Sequence, residues 1–141
     1  MSEEQAEQIL TSHHMLLGRW TPEKIGKTLG FFATRYIFLD CRGTLKIHPT
    51  THWGWYVTVI TLSHDVSGGE FTMHTVDRPV AVDEHAWICS KALLYNCHVC
   101  HHGIVACGAV VRNMTVESYT VVEGNPARVS KRFVDGRWVK A

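Results

Sequence analysis

The sequence predicts an all-β solenoid, a tube of stacked three-sided coils with a short helical segment at its N-terminal end. Three observations predict it. Cut from Val82, the chain falls into hexads: VDEHAW, ICSKAL, LYNCHV, CHHGIV, ACGAVV, RNMTVE. The same phase appears upstream in IHPTTH, WGWYVT and VITLSH, residues 47–64. Residues 80–125 are also rich in β-branched residues, short apolar pairs and small turn residues. A period of six matches neither a helix nor a simple alternating strand. It suits a coil with three flat sides, one hexad to a side, and each such coil needs neighbours to bury its core.

The elements follow in order. Residues 2–17 read as a helix, with Ser2 as N-cap, Glu3 and Glu4 in the first turn, and Ile9, Leu10, Leu16 and Leu17 as its apolar positions. Gly18 would stop it, and Pro22 and Glu23 would open a second short helix, TPEKIGKTL. Such a segment, residues 1–29, would plug an open solenoid end that otherwise exposes strand edges. The solenoid is expected over 30–133: an imperfect coil in 30–46, then full coils in 47–64, 82–99 and 100–117. Residues 134–141 read as a tail. Position one of each hexad should point inward: Ile47, Trp53 and Val59, then Val82, Ile88, Leu94, Cys100, Ala106 and Arg112. Position five should pack near the corner: Thr51, Val57 and Ser63, then Ala86, Ala92, His98, Ile104, Val110 and Val116. The stretch DVSGGEFTMHTVDRP, residues 65–79, breaks the period and reads as an extruded loop.

Composition narrows the function. With 141 residues, 45% of them hydrophobic, and a net charge of +1, the chain fits one domain with no general pull toward nucleic acid or membrane. No apolar run approaches the roughly 20 residues that span a bilayer, and the acidic start lacks a signal-peptide pattern. A cytoplasmic protein with its five cysteines reduced is therefore expected. The segment NCHVCHHG contains Cys97-x-x-Cys100-His101, the pattern of c-type haem attachment. Haem would want surrounding helices and an axial ligand, which this β-patterned region does not offer. In the hexad frame Cys100 points inward as a small apolar residue, His101 and His102 lie outside, and Cys97 is near a corner.

Ser63-His64-Asp65, Arg78-Pro79-Val80 leading into Val82–Trp87, and Gly124-Asn125-Pro126-Ala127-Arg128 together resemble the hexapeptide-repeat acyltransferases. The likeness covers about residues 40–133 and is nearest to the maltose, galactoside and polysaccharide O-acetyltransferases. It implies a left-handed parallel β-helix and a homotrimer with active sites between neighbouring subunits. It also implies acetyl-coenzyme A as donor, a sugar hydroxyl as acceptor, and no metal.

Acetyl transfer from a thioester needs positioning and one base, and a neutral imidazole suits that near pH 7. His64 ends a coil where the period breaks, and it aligns with the family's catalytic histidine. Asp65 either orients that imidazole or begins the loop. His74, in the loop, would line the acceptor pocket. By the same resemblance Ser90 and Gly108 fall where pantetheine meets backbone amides, and small residues there permit close approach. Trp87 falls beside the cofactor thiol, or packs across the trimer interface. Asn113 lies near the adenine, and Arg128 and Lys131 near the phosphates, with Arg132 adding charge. His98, at a usually small position, is expected to be partly buried and hydrogen-bonded. The remaining histidines read as solvated.

The sequence departs from the family pattern in three places. Position two of many hexads is usually glycine but here is Asp83, Cys89, Tyr95, His101 and Cys107. Thr34 stands where the sugar acetyltransferases carry an acceptor-site asparagine. Met114 replaces a lysine near the adenosine end. Three alternatives share the fold: N-acetylation of an amino sugar, a zinc hydratase like the γ carbonic anhydrases using His64, His98 and His102, and a trimeric scaffold without catalysis.

Overall fold

A computed structural model of the chain describes residues 34–141 and 12–21 together with Ser2, Glu4, Gln5, Gln8 and Lys24. The described chain coils into a left-handed parallel β-helix with three sides. The first side stacks β3 (Leu45–Ile47), β8 (Val80–Val82) and the second halves of β10 (Leu93–Val99) and β12 (Val110–Val116). The second stacks β4 (His52–Trp53), β9 (Trp87–Ile88), β11 (Ile104–Val105) and β13 (Thr120–Glu123). The third stacks β1 (Met15–Leu17), β2 (Phe38–Asp40), β5 (Thr58–Ile60) and the first halves of β10 and β12. A hairpin, β6 (Leu62–His64) against β7 (Thr75–Asp77), projects from the tube. At the far end β14 (Arg128–Val134) and β15 (Arg137–Lys140) add antiparallel to β13, so residues read as a tail extend the sheet.

The core is a set of inward columns. Ile47, Val82, Val99 and Val116 stack on the first side, Trp53, Ile88, Val105 and Val122 on the second, and Leu39, Val59, Leu94 and Val111 on the third. Each of these twelve side chains is buried. A buried Val, Leu or Ile contributes about 1.5–3 kcal/mol, but only when the coils above and below are in place.

The coil repeat is seventeen residues, not eighteen: Val82, Val99 and Val116 are in register. The missing residue belongs to the side that starts at Leu94, which reaches the next inward position at Val99 after five. The chain turns that corner at Asn96 and again at Asn113, both with positive φ (45° and 53°). Asn96 Nδ2 donates to Asn113 Oδ1 at 2.8 Å, tying the two corners. The six-residue frame therefore slips by one after Leu94. Val99, Val105 and Val111 point inward where Cys100, Ala106 and Arg112 were expected, and Cys97, Gly103 and Ala109 are buried where His98, Ile104 and Val110 were expected.

The other two corners also run left-handed. Tyr36, Tyr56, Lys91 and Gly108 form one column with φ between 60° and 69°, and His85, His102 and Tyr119 another with φ between 53° and 58°. Only Gly108 is a glycine. A left-handed conformation costs an L-residue roughly 1–2 kcal/mol, which the stacked cores offset.

The expected helix over 2–17 is corrected at its end, where Met15–Leu17 is strand. The edge of β2 offers unpaired backbone groups, and Met15 N donates to Ile37 O at 3.0 Å while Cys41 N donates to Leu17 O at 2.7 Å. An edge ladder outweighs the weak helix preference of so short a segment. Of the second helix, TPEKIGKTL, only Thr21 and Lys24 are described, with Lys24 N donating to Thr21 O at 3.0 Å; Pro22, Glu23 and 25–29 lie outside the described residues.

Candidate functional site

His64 is the last residue of β6, at the mouth of the hairpin. Its Nδ1 lies 2.9 Å from the carbonyl oxygen of Thr72. A carbonyl only accepts, so Nδ1 carries the proton and Nε2 keeps its lone pair. The ring packs against Phe71, with centroids 4.6 Å apart. Asp65 begins the loop: Ser67 N donates to its Oδ1 at 2.9 Å, and that bond holds the carboxyl below its usual range. Asp65 N donates to His74 O at 2.8 Å, closing the hairpin above the histidine. His74 itself is exposed on the hairpin.

The hairpin base is clamped to the previous coil. Asp40 is fully buried. It accepts from Arg42 Nε at 2.8 Å and Thr61 N at 3.2 Å. Burial works to raise this carboxyl, but the hydrogen bonds from Arg42 and Thr61 outweigh it, and the net shift is downward. Across the base, Asp77 accepts from Thr44 N at 2.9 Å and Thr44 Oγ1 at 2.5 Å. Arg78 Nε donates to Ser63 Oγ at 3.1 Å beside His64. Arg42 is two residues from Asp40, but Thr61, Thr44 and Ser63 lie 15–33 residues from the groups they meet, so these pairings went unread in the sequence; the acidic residues bracketing the corner, Asp40 and Asp77, were the available signal.

Register fixes where the hairpin leaves the tube. Tyr95 pairs with Ile60 and Cys97 with Val80, so Asn96 occupies in one coil the place that 61–79 occupies in the coil below. His64, Asn96 and Asn113 thus share one edge. Ser90 and Gly108 lie on another, between the second and third sides, where Gly108 N donates to Ser90 O at 2.9 Å. Ser90 Oγ accepts from Trp55 N at 2.9 Å, and a Cβ on Gly54 would fall 2.3 Å from Ser90 N. This edge needs glycine for close approach between coils.

Trp87 projects from the second side and is half exposed. It lines a groove of about 580 Å³ with His52 and Ile104 beside it. One wall is a column of rings: His85 and His102 lie 5.1 Å apart, His102 and Tyr119 stack at 4.7 Å, and Tyr119 meets Phe133 at 6.2 Å. Trp138 closes the end against Phe133. The groove was not legible in the sequence, because its walls come from four coils and the terminal hairpin. Arg128 and Lys131 lie on β14 at the same end of the second side, both exposed.

Three-dimensional comparison decides what kind of tube this is. A maltose O-acetyltransferase from Clostridium difficile 630 superposes with a TM-score of 0.63 at 16% identity, over 95% of this chain and 78% of that one. The fold is that of the hexapeptide-repeat acetyltransferases. A hexapeptide-repeat containing acetyltransferase from Vibrio cholerae, solved with acetyl-coenzyme A, superposes with a TM-score of 0.58 at 21% identity, over 96% and 81%. A second structure of it gives 0.56 at 20%, over 72% and 60%. No protein-family model and no curated protein matches the chain.

Within the hexapeptide-repeat tube the expected residues separate. Trp87, Ser90, Gly108, Arg128 and Lys131 belong to the second side and its trailing edge, whereas His64, Asp65, His74 and Asn113 belong to the hairpin edge. Thr34, expected at the acceptor, is mostly buried, at 7% exposure. His98, expected to be partly buried, is exposed and meets Asp83 at 2.7 Å. One chain does not gather His64, His98 and His102: the first is on the hairpin, the second faces out from the first side, and the third stacks on His85 and Tyr119. The haem pattern also dissolves. Cys97 is buried with its thiol pushed up by desolvation to about 12, while His101 faces outward.

Proposed function

We propose that the chain is an acetyl-coenzyme A-dependent O-acetyltransferase acting on a sugar hydroxyl, with His64 as general base. The carrying observation is the His64 Nδ1 to Thr72 carbonyl bond. It leaves Nε2 as the free basic atom of a ring that packs against Phe71. His64 Nε2 takes the proton from the acceptor hydroxyl as its oxygen attacks the thioester carbonyl carbon. The carbon–sulfur bond then breaks, and the proton passes from the imidazolium to the departing thiolate. An ester and a free thiol result. Ser90 and Gly108 fit a pantetheine arm along their edge, with Trp87 toward its thiol end and Arg128 and Lys131 toward its phosphates.

The separation of the two edges on one tube supports a homotrimer. A hairpin from one protomer would meet the Ser90 edge of its neighbour, completing a site that neither holds alone. His74 and Asp65, at the hairpin mouth, face the acceptor. All five cysteines are unpaired, which suits a reducing compartment, and we place the reaction in a cytoplasm. Among the described residues no helix is long and apolar enough to cross a membrane.

The test is a screen of free sugars, nucleotide sugars, oligosaccharides and amino sugars with acetyl-coenzyme A, following thiol release. Release with hydroxyl acceptors and an alkali-labile product supports the reading. Release with amines alone moves it to N-acetylation, and no release with any acceptor, from a trimer that binds acetyl-coenzyme A, removes it.

A further inference from the structure

The first side carries a cluster that the proposed transfer does not use. In a strand, residues i and i+2 share a face, and neighbouring strands lie about 4.8 Å apart. Val99 points into the core, so His98 and Cys100 both point out. Val99 is in register with Val82 below and Val116 above, which sets Asp83, Cys100 and Glu117 in one outward column. The donor atoms of Asp83, His98 and Cys100 all lie within 4.8 Å of one another. His98 Nε2 and Asp83 Oδ2 are already 2.7 Å apart.

We propose that Asp83, His98 and Cys100 form a binding site for Zn²⁺ that staples adjacent coils of the tube. The donors are one imidazole nitrogen, one thiolate sulfur and one carboxylate oxygen. That mixed set selects zinc over the hard cations calcium and magnesium, which take oxygen alone. Three protein ligands leave a fourth tetrahedral position for water. On binding, the His98–Asp83 hydrogen bond gives way to two metal bonds: the Nε2 proton of His98 is released to solvent while Nδ1 takes one up, leaving a neutral ring bound through Nε2, and the Cys100 thiol loses its proton to solvent. In the free chain that thiol is held up by burial and by the negative charges of Glu117 and Asp83. The ion neutralises that charge as it captures the sulfur. The site departs from the metal-free expectation of the sequence, whose frame turned Cys100 inward.

Cobalt(II) is the probe, added to the reduced, metal-stripped full chain. One equivalent per chain should give a thiolate-to-cobalt charge-transfer band in the near ultraviolet and the strong visible bands of four-coordinate cobalt, both erased by Zn²⁺. Cys100→Ser should remove the charge-transfer band. His98→Ala should weaken binding by more than the ~10-fold that loss of even an outer-shell partner costs. Cys107→Ser, which removes the exposed thiol, should leave both signals intact. Zn²⁺ should raise the unfolding temperature of the parent chain and not that of Cys100→Ser, a readout that also reports whether the variant folds. Absence of the band in the parent chain, or its survival in a folded Cys100→Ser chain, overturns the site.

Discussion

The Nδ1 atom of His64 and the carbonyl oxygen of Thr72, eight residues apart, face each other at 2.9 Å across the hairpin mouth. The bond fixes both the tautomer and the direction of the ring. If Nε2 is the base, His64→Ala removes proton transfer and leaves the donor edge untouched. Turnover should fall by about 10²–10⁴-fold, with little change in the KM for acetyl-coenzyme A. Steady-state kinetics on the acceptor found by the screen checks this, and an unchanged rate would remove His64 from the mechanism.

Phe71 packs against the His64 ring, with centroids 4.6 Å apart and the planes tilted by 46°. It is largely exposed, so truncating it should cost little stability. Phe71→Ala should lower kcat by about 3–30-fold through loss of alignment, leaving KM for the donor unchanged. Phe71→Tyr, which keeps the ring, should restore most of the rate. A variant that lost stability and rate together would argue for a structural role instead.

The sequence carries the tube well where hexads are intact. Val82, Ile88 and Leu94 are the inward residues its period names, and Trp53 and Val59 match too. It fails after Leu94 because one five-residue side shifts everything downstream, and an asparagine turning a corner looks like any polar loop residue. His64 was legible because the period breaks there. Thr72, Phe71, Asp40 and Asp77 were not, since each acts through a contact between segments whose spacing has no period. Cys100 was read as core for the same one-residue reason.

Asp40 tests the clamp under the hairpin. Its carboxylate is depressed in the folded chain, so it contributes stability above its unfolded pKa, about 3.9. That contribution is lost as pH falls through the lower folded value. Asp40→Asn should cost about 2–3 kcal/mol at pH 7, as a buried charge-assisted network is broken. The penalty should shrink toward pH 3, where the parent chain loses the same term. Thermal unfolding of both chains from pH 7 to pH 3 reads this directly, and a penalty constant with pH would show that charge is not what Asp40 supplies.

Gly54 and Ser90 test the edge assigned to the pantetheine arm. A methyl group at Gly54 would meet Ser90 N at 2.3 Å and Ser90 Oγ at 2.5 Å, mostly rigid backbone of the next coil. Gly54→Ala should therefore destabilise by about 1–3 kcal/mol and weaken acetyl-coenzyme A binding by spreading two coils. Calorimetric binding at a temperature where the variant is folded separates the two effects. Unimpaired affinity would mean that the donor lies elsewhere.

Lys91 and Gly108 are successive members of one left-handed corner column, at φ 63° and 69°, and substitutions there should have opposite signs. Lys91→Gly relieves a left-handed L-residue, worth roughly 1–2 kcal/mol, against a glycine entropy cost of about 0.5–1 kcal/mol. The net should be a stabilisation of up to about 1 kcal/mol. Gly108→Ala meets no atom within 4 Å, so sterics between groups contribute nothing and the backbone alone sets the cost. It should destabilise by about 1 kcal/mol. Denaturant midpoints for the two variants measure the corner itself, independent of any ligand. If both changes moved stability the same way, left-handed strain would not be the quantity that the glycine-poor corners carry.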